Sequence, residues 1–165
     1  MAAASAAAPP TERPGQRPRR RAAALIAYFD TSAVIKLLLD EDGSELVDEL
    51  WSRASSRLAS RLVYPEARAA LAAARRAARI DERAHRATVR ELDAACAAMR
   101  LVGVDWQLAL SAGDAAERYA LRGYDAVHLV TALNVHDAAL VIVTWDRDLA
   151  HAALAAGQHV APVHG

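Results

Sequence analysis

Four carboxylates stand out by their position relative to the apolar blocks of the chain. Asp30 directly follows the run Leu25–Phe29 and precedes two hydroxyl residues, Thr31 and Ser32. Asp146 follows Leu140–Val143 after Thr144 and Trp145. Glu66 and Asp125 fall in the first turns of expected helices, behind Pro65 and Gly123. In an open parallel α/β sheet, ligands bind beyond the carboxyl ends of the strands. Four acids remote in sequence can therefore meet at one sheet edge. Like charges so gathered are costly unless a cation sits among them, and helix N-termini offset part of that cost. A set of oxygen donors without cysteine or paired histidine favours Mg²⁺ or Mn²⁺ over zinc. The corresponding chemistry is phosphodiester hydrolysis by a metal-activated water.

Each acid also has a plainer explanation. Aspartate is a favoured helix N-cap, and for Asp125 or Asp146 taken alone a cap is the simpler account. A glutamate in a first helical turn, like Glu66, is common. Asp30 resists such an account, because it ends a buried strand. On the residues alone, a metal site and a set of structural acids stay equally open.

The elements that must position these acids can be read from the hydrophobic periodicity. Strands are expected at Leu25–Phe29, Arg57–Ser60, Leu101–Val104, Leu140–Val143 and His159–Val163. Between them, helices are expected over Ser32–Leu39, Glu45–Trp51 with Ser44 as cap, Pro65 to about Arg79, and Asp81 to about Met99. Further helices are expected from Asp105 to about Leu121 with Gly123 as stop, from Asp125 to about His136, and from Asp146 to Ala156. Strands alternating with helices imply a parallel sheet covered on both faces.

At 165 residues the chain has the length of one domain. With 54% hydrophobic residues it is too apolar to be disordered throughout, and no apolar run reaches the ~18 residues of a membrane span. Its 42 alanines and 5% aromatics call for an aliphatic core of closely approaching helices. The single cysteine, Cys96, allows neither an internal disulfide nor a cysteine zinc site, which fits a cytoplasmic location. Residues 1–22, rich in Ala, Pro and Arg, are expected to be a disordered extension or the product of a start codon assigned too far upstream; the folded domain is expected over 23–165. Arg19–Arg21 before a short apolar run resembles a twin-arginine signal, but Asp30 closes the run after eight residues and no cleavage site follows.

The net charge is zero but unevenly spread: residues 53–100 hold eleven arginines against five acids, between two acidic segments. Arg75, Arg76 and Arg79 share part of one helix surface and could contact RNA phosphates. A solvated face on an alanine-rich helix pair explains them equally well. His128, three residues after Asp125, reads as a partly buried histidine beside the acids rather than a ligand. His85, His136, His151, His159 and His164 read as surface, and Cys96 as core.

The stretch Tyr28-Phe29-Asp30-Thr31-Ser32-Ala33-Val34-Ile35-Lys36-Leu37 resembles the opening of PIN domains, in particular of VapC-type toxins. Tyr64-Pro65-Glu66-Ala67-Arg68 is similar to their second acidic motif, Gly123-Tyr124-Asp125-Ala126-Val127-His128-Leu129 to the third, and Thr144-Trp145-Asp146-Arg147-Asp148-Leu149 to the fourth. The order and spacing match from about Leu25 to Val163. This resemblance implies a three-layer α/β/α sandwich and an Mg²⁺- or Mn²⁺-dependent endoribonuclease acting on RNA. It also implies a homodimer neutralised by a VapB-type antitoxin. Asp30 and Asp125 would be the principal metal ligands, with Glu66 and Asp146 completing the pocket directly or through water. Ser32 would support Asp30, and Thr144 would orient Asp146. Whether Asp146 or Asp148 faces the pocket is open, with Asp146 favoured because Asp148 points about 200° around the helix. The alternatives are a non-catalytic PIN-like RNA-binding or interaction module and a PIN nuclease with a role other than that of a toxin.

Overall fold

A computed structural model describes residues 24–162. The expected tail at 1–22, the end of the last strand at Val163, and His164 lie outside them. The elements run β1 (Ile26–Phe29), α1 (Thr31–Leu38), α2 (Ser44–Arg53), β2 (Ser56–Ser60), α3 (Val63–Arg76), α4 (Glu82–Ala97), β3 (Arg100–Val102), α5 (Trp106–Tyr119), α6 (Gly123–Leu133), β4 (Leu140–Val143), α7 (Arg147–Ala155) and β5 (His159–Ala161). All strand pairs are parallel, in the order β3-β2-β1-β4-β5.

Strand β1 lies in the middle of the sheet, flanked on both sides, and its short run is buried on both faces. Successive side chains alternate between the faces. Ala27 and Phe29 join a core with Val34, Val47, Leu71 and Leu92 of α1–α4. Tyr28 joins a second core with Leu108, Leu129 and Leu149 of α5–α7. Strand β4 divides in the same way, Leu140 and Ile142 to one side and Val143 to the other. Each of these fully buried large side chains contributes about 1.5–3 kcal/mol relative to exposure. The result is the parallel sheet covered on both faces that the alternating pattern implied, and the three-layer α/β/α sandwich that the resemblance implied.

Several helix ends differ from expectation. Gly123 does not stop α5 but opens α6; α5 is ended by Ala120 in the left-handed conformation (φ 53°), a position where glycine is the usual signal. Ser44 does not cap α2: Gly43 does so with φ 93°, and the Ser44 hydroxyl donates to the carbonyls of Lys36 and Leu39. At Gly43 a β-carbon would stand 2.7 Å from the Trp145 ring, so the close approach of that indole requires glycine. Helix α3 begins at Val63, two residues before Pro65, and β3 ends at Val102.

The chain winds outward from β1 through β2 to β3, then crosses back through α5 and α6 to add β4 on the other side of β1. The direction of winding therefore reverses between β1 and β4. A crevice opens at such a reversal, at the carboxyl ends of the two strands. Asp30 leaves β1 and Thr144–Asp146 leave β4 at that point.

Candidate active site

Asp30 is the N-cap of α1 and is only 4% exposed. Its Oδ1 accepts from the Ala33 backbone N–H at 2.9 Å. The Ser32 hydroxyl donates to the same carboxylate at 2.8 Å, and the Thr144 hydroxyl donates to Oδ2 at 2.8 Å. Burial raises the Asp30 carboxyl above the usual carboxylate range; the charge of His128 and these three donors oppose the rise without cancelling it. The groups that hydrogen-bond to this carboxylate are all neutral, so the positive charge nearest to it acts from outside its direct contacts, which leaves its oxygens suited to a cation beside them.

Thr144 does more than the expected orientation of Asp146. While its hydroxyl donates to Asp30, its Oγ1 accepts from the Asp146 N–H at 3.0 Å, joining the ends of β1 and β4. Ser32 makes a second link, accepting from the Trp145 N–H at 2.8 Å.

Glu66 lies in the first turn of α3 as expected. Its Oε2 accepts from the Thr31 hydroxyl at 2.5 Å and from His128 Nε2 at 2.8 Å. Half-burial pushes this carboxyl up, but the His128 and Thr31 hydrogen bonds and the charges of His128 and Arg122 together bring it below its usual range. His128 is 2% exposed, more deeply buried than expected. On its far side Nδ1 meets the Tyr28 hydroxyl at 2.9 Å, and that hydroxyl accepts from the Ser60 N–H at 3.1 Å.

Asp125 is the third residue of α6, not its cap; Arg122 holds the cap position and makes no capping bond there. Asp146 does cap α7, its Oδ1 accepting from the Leu149 N–H at 3.0 Å. Arg122 joins the two acids: Nε donates to Asp125 Oδ2 and Nη2 to Asp146 Oδ2, both at 2.7 Å. Asp148 points elsewhere, exposed and lining a depression with Tyr119 and His151. Of this pair, Asp146 is the acid that hydrogen-bonds to Arg122, while Asp148 acts on that guanidinium only through its charge.

The four expected acids thus gather at the reversal point in two hydrogen-bonded sets, Asp30, Asp146 and Asp125 through Thr144 and Arg122, and Glu66 through Thr31 and His128; the charges of His128 on Asp30 and of Arg122 on Glu66 couple the two. They do not form a preassembled cage: among the described residues no group of three or more His, Cys, Asp or Glu side chains is arranged to hold a metal ion. Arg122 and His128 stand among the carboxylates instead. The donors nonetheless fit a hard divalent ion of the kind that keeps several waters and takes few protein oxygens.

Sequence reasoning missed Arg122 and Tyr28, and gave Thr31 and His128 too little weight. The one local signal for Arg122 is its position three residues before Asp125, within side-chain reach. Arg75 and Arg76 lie in the last turn of α3 and Arg79 just beyond it, with Arg75 roughly 14 Å along the helix from Glu66. Arg75 pairs with Glu82 and Arg79 with Glu41. His85, expected at the surface, is partly buried, and neither of its enclosed ring nitrogens has a hydrogen-bond partner among the described residues. Cys96 is only partly buried at the margin of its core, and burial raises its thiol pKa.

A sheet that reverses direction at an acid-lined crevice is shared by many nucleotide-handling folds, and comparison with known proteins narrows the class. The PIN domain family matches residues 27–154, and the chain belongs to that family. Over 137 residues it is 47% identical to Ribonuclease VapC45 of Mycobacterium tuberculosis (strain CDC 1551 / Oshkosh), covering 83% of this chain and 95% of that protein. The crystal structure of PAE2754 from Pyrobaculum aerophilum is similar at 26% identity and a TM-score of 0.57, over 78% of this chain and 86% of that one. A chain of a toxin-antitoxin complex from Klebsiella pneumoniae shares the fold at 19% identity and a TM-score of 0.55, over 75% of this chain and 90% of that one. No helix among the described residues is long and apolar enough to cross a membrane.

Proposed function

We propose that this protein is a metal-dependent endoribonuclease and the toxin of a VapBC-type toxin–antitoxin pair. One observation carries the reading: four carboxylates from separate parts of the chain gather at the reversal point, in two hydrogen-bonded sets coupled by the charges of His128 and Arg122, in a chain nearly half identical to a VapC ribonuclease. Asp30 and Asp125 would hold Mg²⁺ or Mn²⁺, with Glu66 and Asp146 contributing directly or through water. When bound, the ion supplies a Lewis acid for the phosphodiester and lowers the pKa of a water at neutral pH.

The chain's own residues prepare that site. Ser32, Thr144 and the Ala33 N–H fix both oxygens of Asp30. His128 and Thr31 keep Glu66 ionised and aimed. The partners proposed are RNA, a second copy of the chain and a VapB-type antitoxin, in the cytoplasm. Arg75, Arg76 and Arg79 would serve as phosphate contacts beyond the pocket, with Arg75 and Arg79 leaving their present acid partners to do so.

In the test, purified Asp30→Asn and Asp125→Asn are incubated with cellular RNA and Mg²⁺. Both lose cleavage while keeping the wild-type circular dichroism spectrum, because asparagine keeps the size and the acceptor oxygen of each side chain. Cleavage by either variant at the wild-type rate removes the metal-site assignment. Co-expression with a candidate antitoxin restoring growth would support the toxin role.

A further inference from the structure

Arg122 reaches into the acidic crevice from outside. Its side chain is 71% exposed, whereas those of Asp125 and Asp146 are 13% and 24% exposed. The two acids are its hydrogen-bond partners among the described residues, and they come from different helices. Each accepts from the guanidinium through an Oδ2 at 2.7 Å. Without a cation between them, two carboxylates close enough to share one guanidinium would repel each other. Its field also extends to Glu66, whose carboxyl it helps to keep ionised.

We propose that Arg122 is a built-in counter-ion for the metal-free pocket: it holds Asp125 and Asp146 together and competes with the divalent ion for their oxygens. This inference rests on the metal reading above. An Oδ2 that accepts a charged hydrogen bond from a guanidinium is not free to ligate an ion, so loading requires the arginine to let go. Its exposure makes release inexpensive, since exposed ion pairs are weak and the freed side chain can be solvated. Arg122 is then a positioning residue that sets metal affinity and keeps the apo pocket from opening under its own charge.

Calorimetric titration of Mn²⁺ into metal-free wild type and Arg122→Gln tests this, with melting temperatures taken with and without saturating Mn²⁺. Arg122→Gln is expected to bind Mn²⁺ about three- to tenfold more tightly, the range that loss of weak exposed ion pairs allows. Its metal-free melting temperature should fall, and saturating Mn²⁺ should raise it by more than in wild type. Arg122→Lys, which keeps the charge but loses the fork, should lie between the two and serves if the glutamine variant folds poorly. Equal or weaker Mn²⁺ affinity in the variants, when wild type binds the ion, overturns the role of Arg122 and leaves the metal reading standing. Absence of Mn²⁺ binding by every chain overturns both.

Discussion

Asp30 and Asp146 occupy equivalent places, each leaving a central strand at the reversal point and each capping the next helix, yet they are held in opposite ways. Asp30 is buried and secured by two hydroxyls and a backbone N–H. Asp146 is more open, and its second oxygen is held by an exposed arginine shared with Asp125. Neutral donors in a dry setting fix a carboxylate in one geometry without placing a cation against its oxygens. A solvent-facing guanidinium neutralises the charge but is readily exchanged. One side of the pocket is thus a rigid template, and the other can change its cation.

The contrast breaks most visibly at Thr144. Thr144→Val removes the donor to Asp30 and the acceptor for the Asp146 N–H. Leaving those buried groups unsatisfied should cost about 1–3 kcal/mol in urea unfolding. RNA cleavage should fall at least tenfold, by displacement of both acids. Unchanged stability would show that Asp30 has alternative partners and that the rigid side is not rigid.

A smaller effect is expected from Tyr28→Phe, which keeps the packed ring but removes the hydroxyl that meets His128 and Ser60. The cost should be about 1 kcal/mol. The His128–Glu66 contact should loosen, visible as a shift of the His128 ring resonances by NMR. Identical His128 resonances in both proteins would separate Tyr28 from the pocket.

On the open side, Asp148→Asn should change neither cleavage nor Mn²⁺ affinity by more than about twofold, as expected for an exposed residue outside the network. A large loss of cleavage would transfer the role of Asp146 to Asp148.

The apolar blocks gave away the strands because β1 and β4 are central and buried on both faces. Motif order brought out the four acids, and aspartate chemistry placed the caps at Asp81, Asp105 and Asp146; Asp30, which the sequence set apart from a cap, caps α1 all the same, because the chain passes from β1 into the helix with no intervening loop. The end of α5 was hidden because the left-handed turn there uses Ala120, where a reader looks for glycine. Arg122 was hidden for a different reason: its second partner is 24 residues away and becomes a neighbour only when α6 and α7 both begin at the same crevice. The Glu66–His128 contact spans 62 residues and is equally invisible to local pattern.

The Thr144–Asp30 hydrogen bond spans 114 residues, and it joins the first strand to the fourth. A ribosome that has made β1, β2 and β3 has produced most of the hydrophobic core around α1–α4 but only half of the pocket. The remaining half arrives only with β4 and α7. Contacts of such long sequence separation form late because the loop must close before they contribute. The hydrogen-bonded frame of the pocket is therefore incomplete until Asp146 has been made, more than a hundred residues after Asp30.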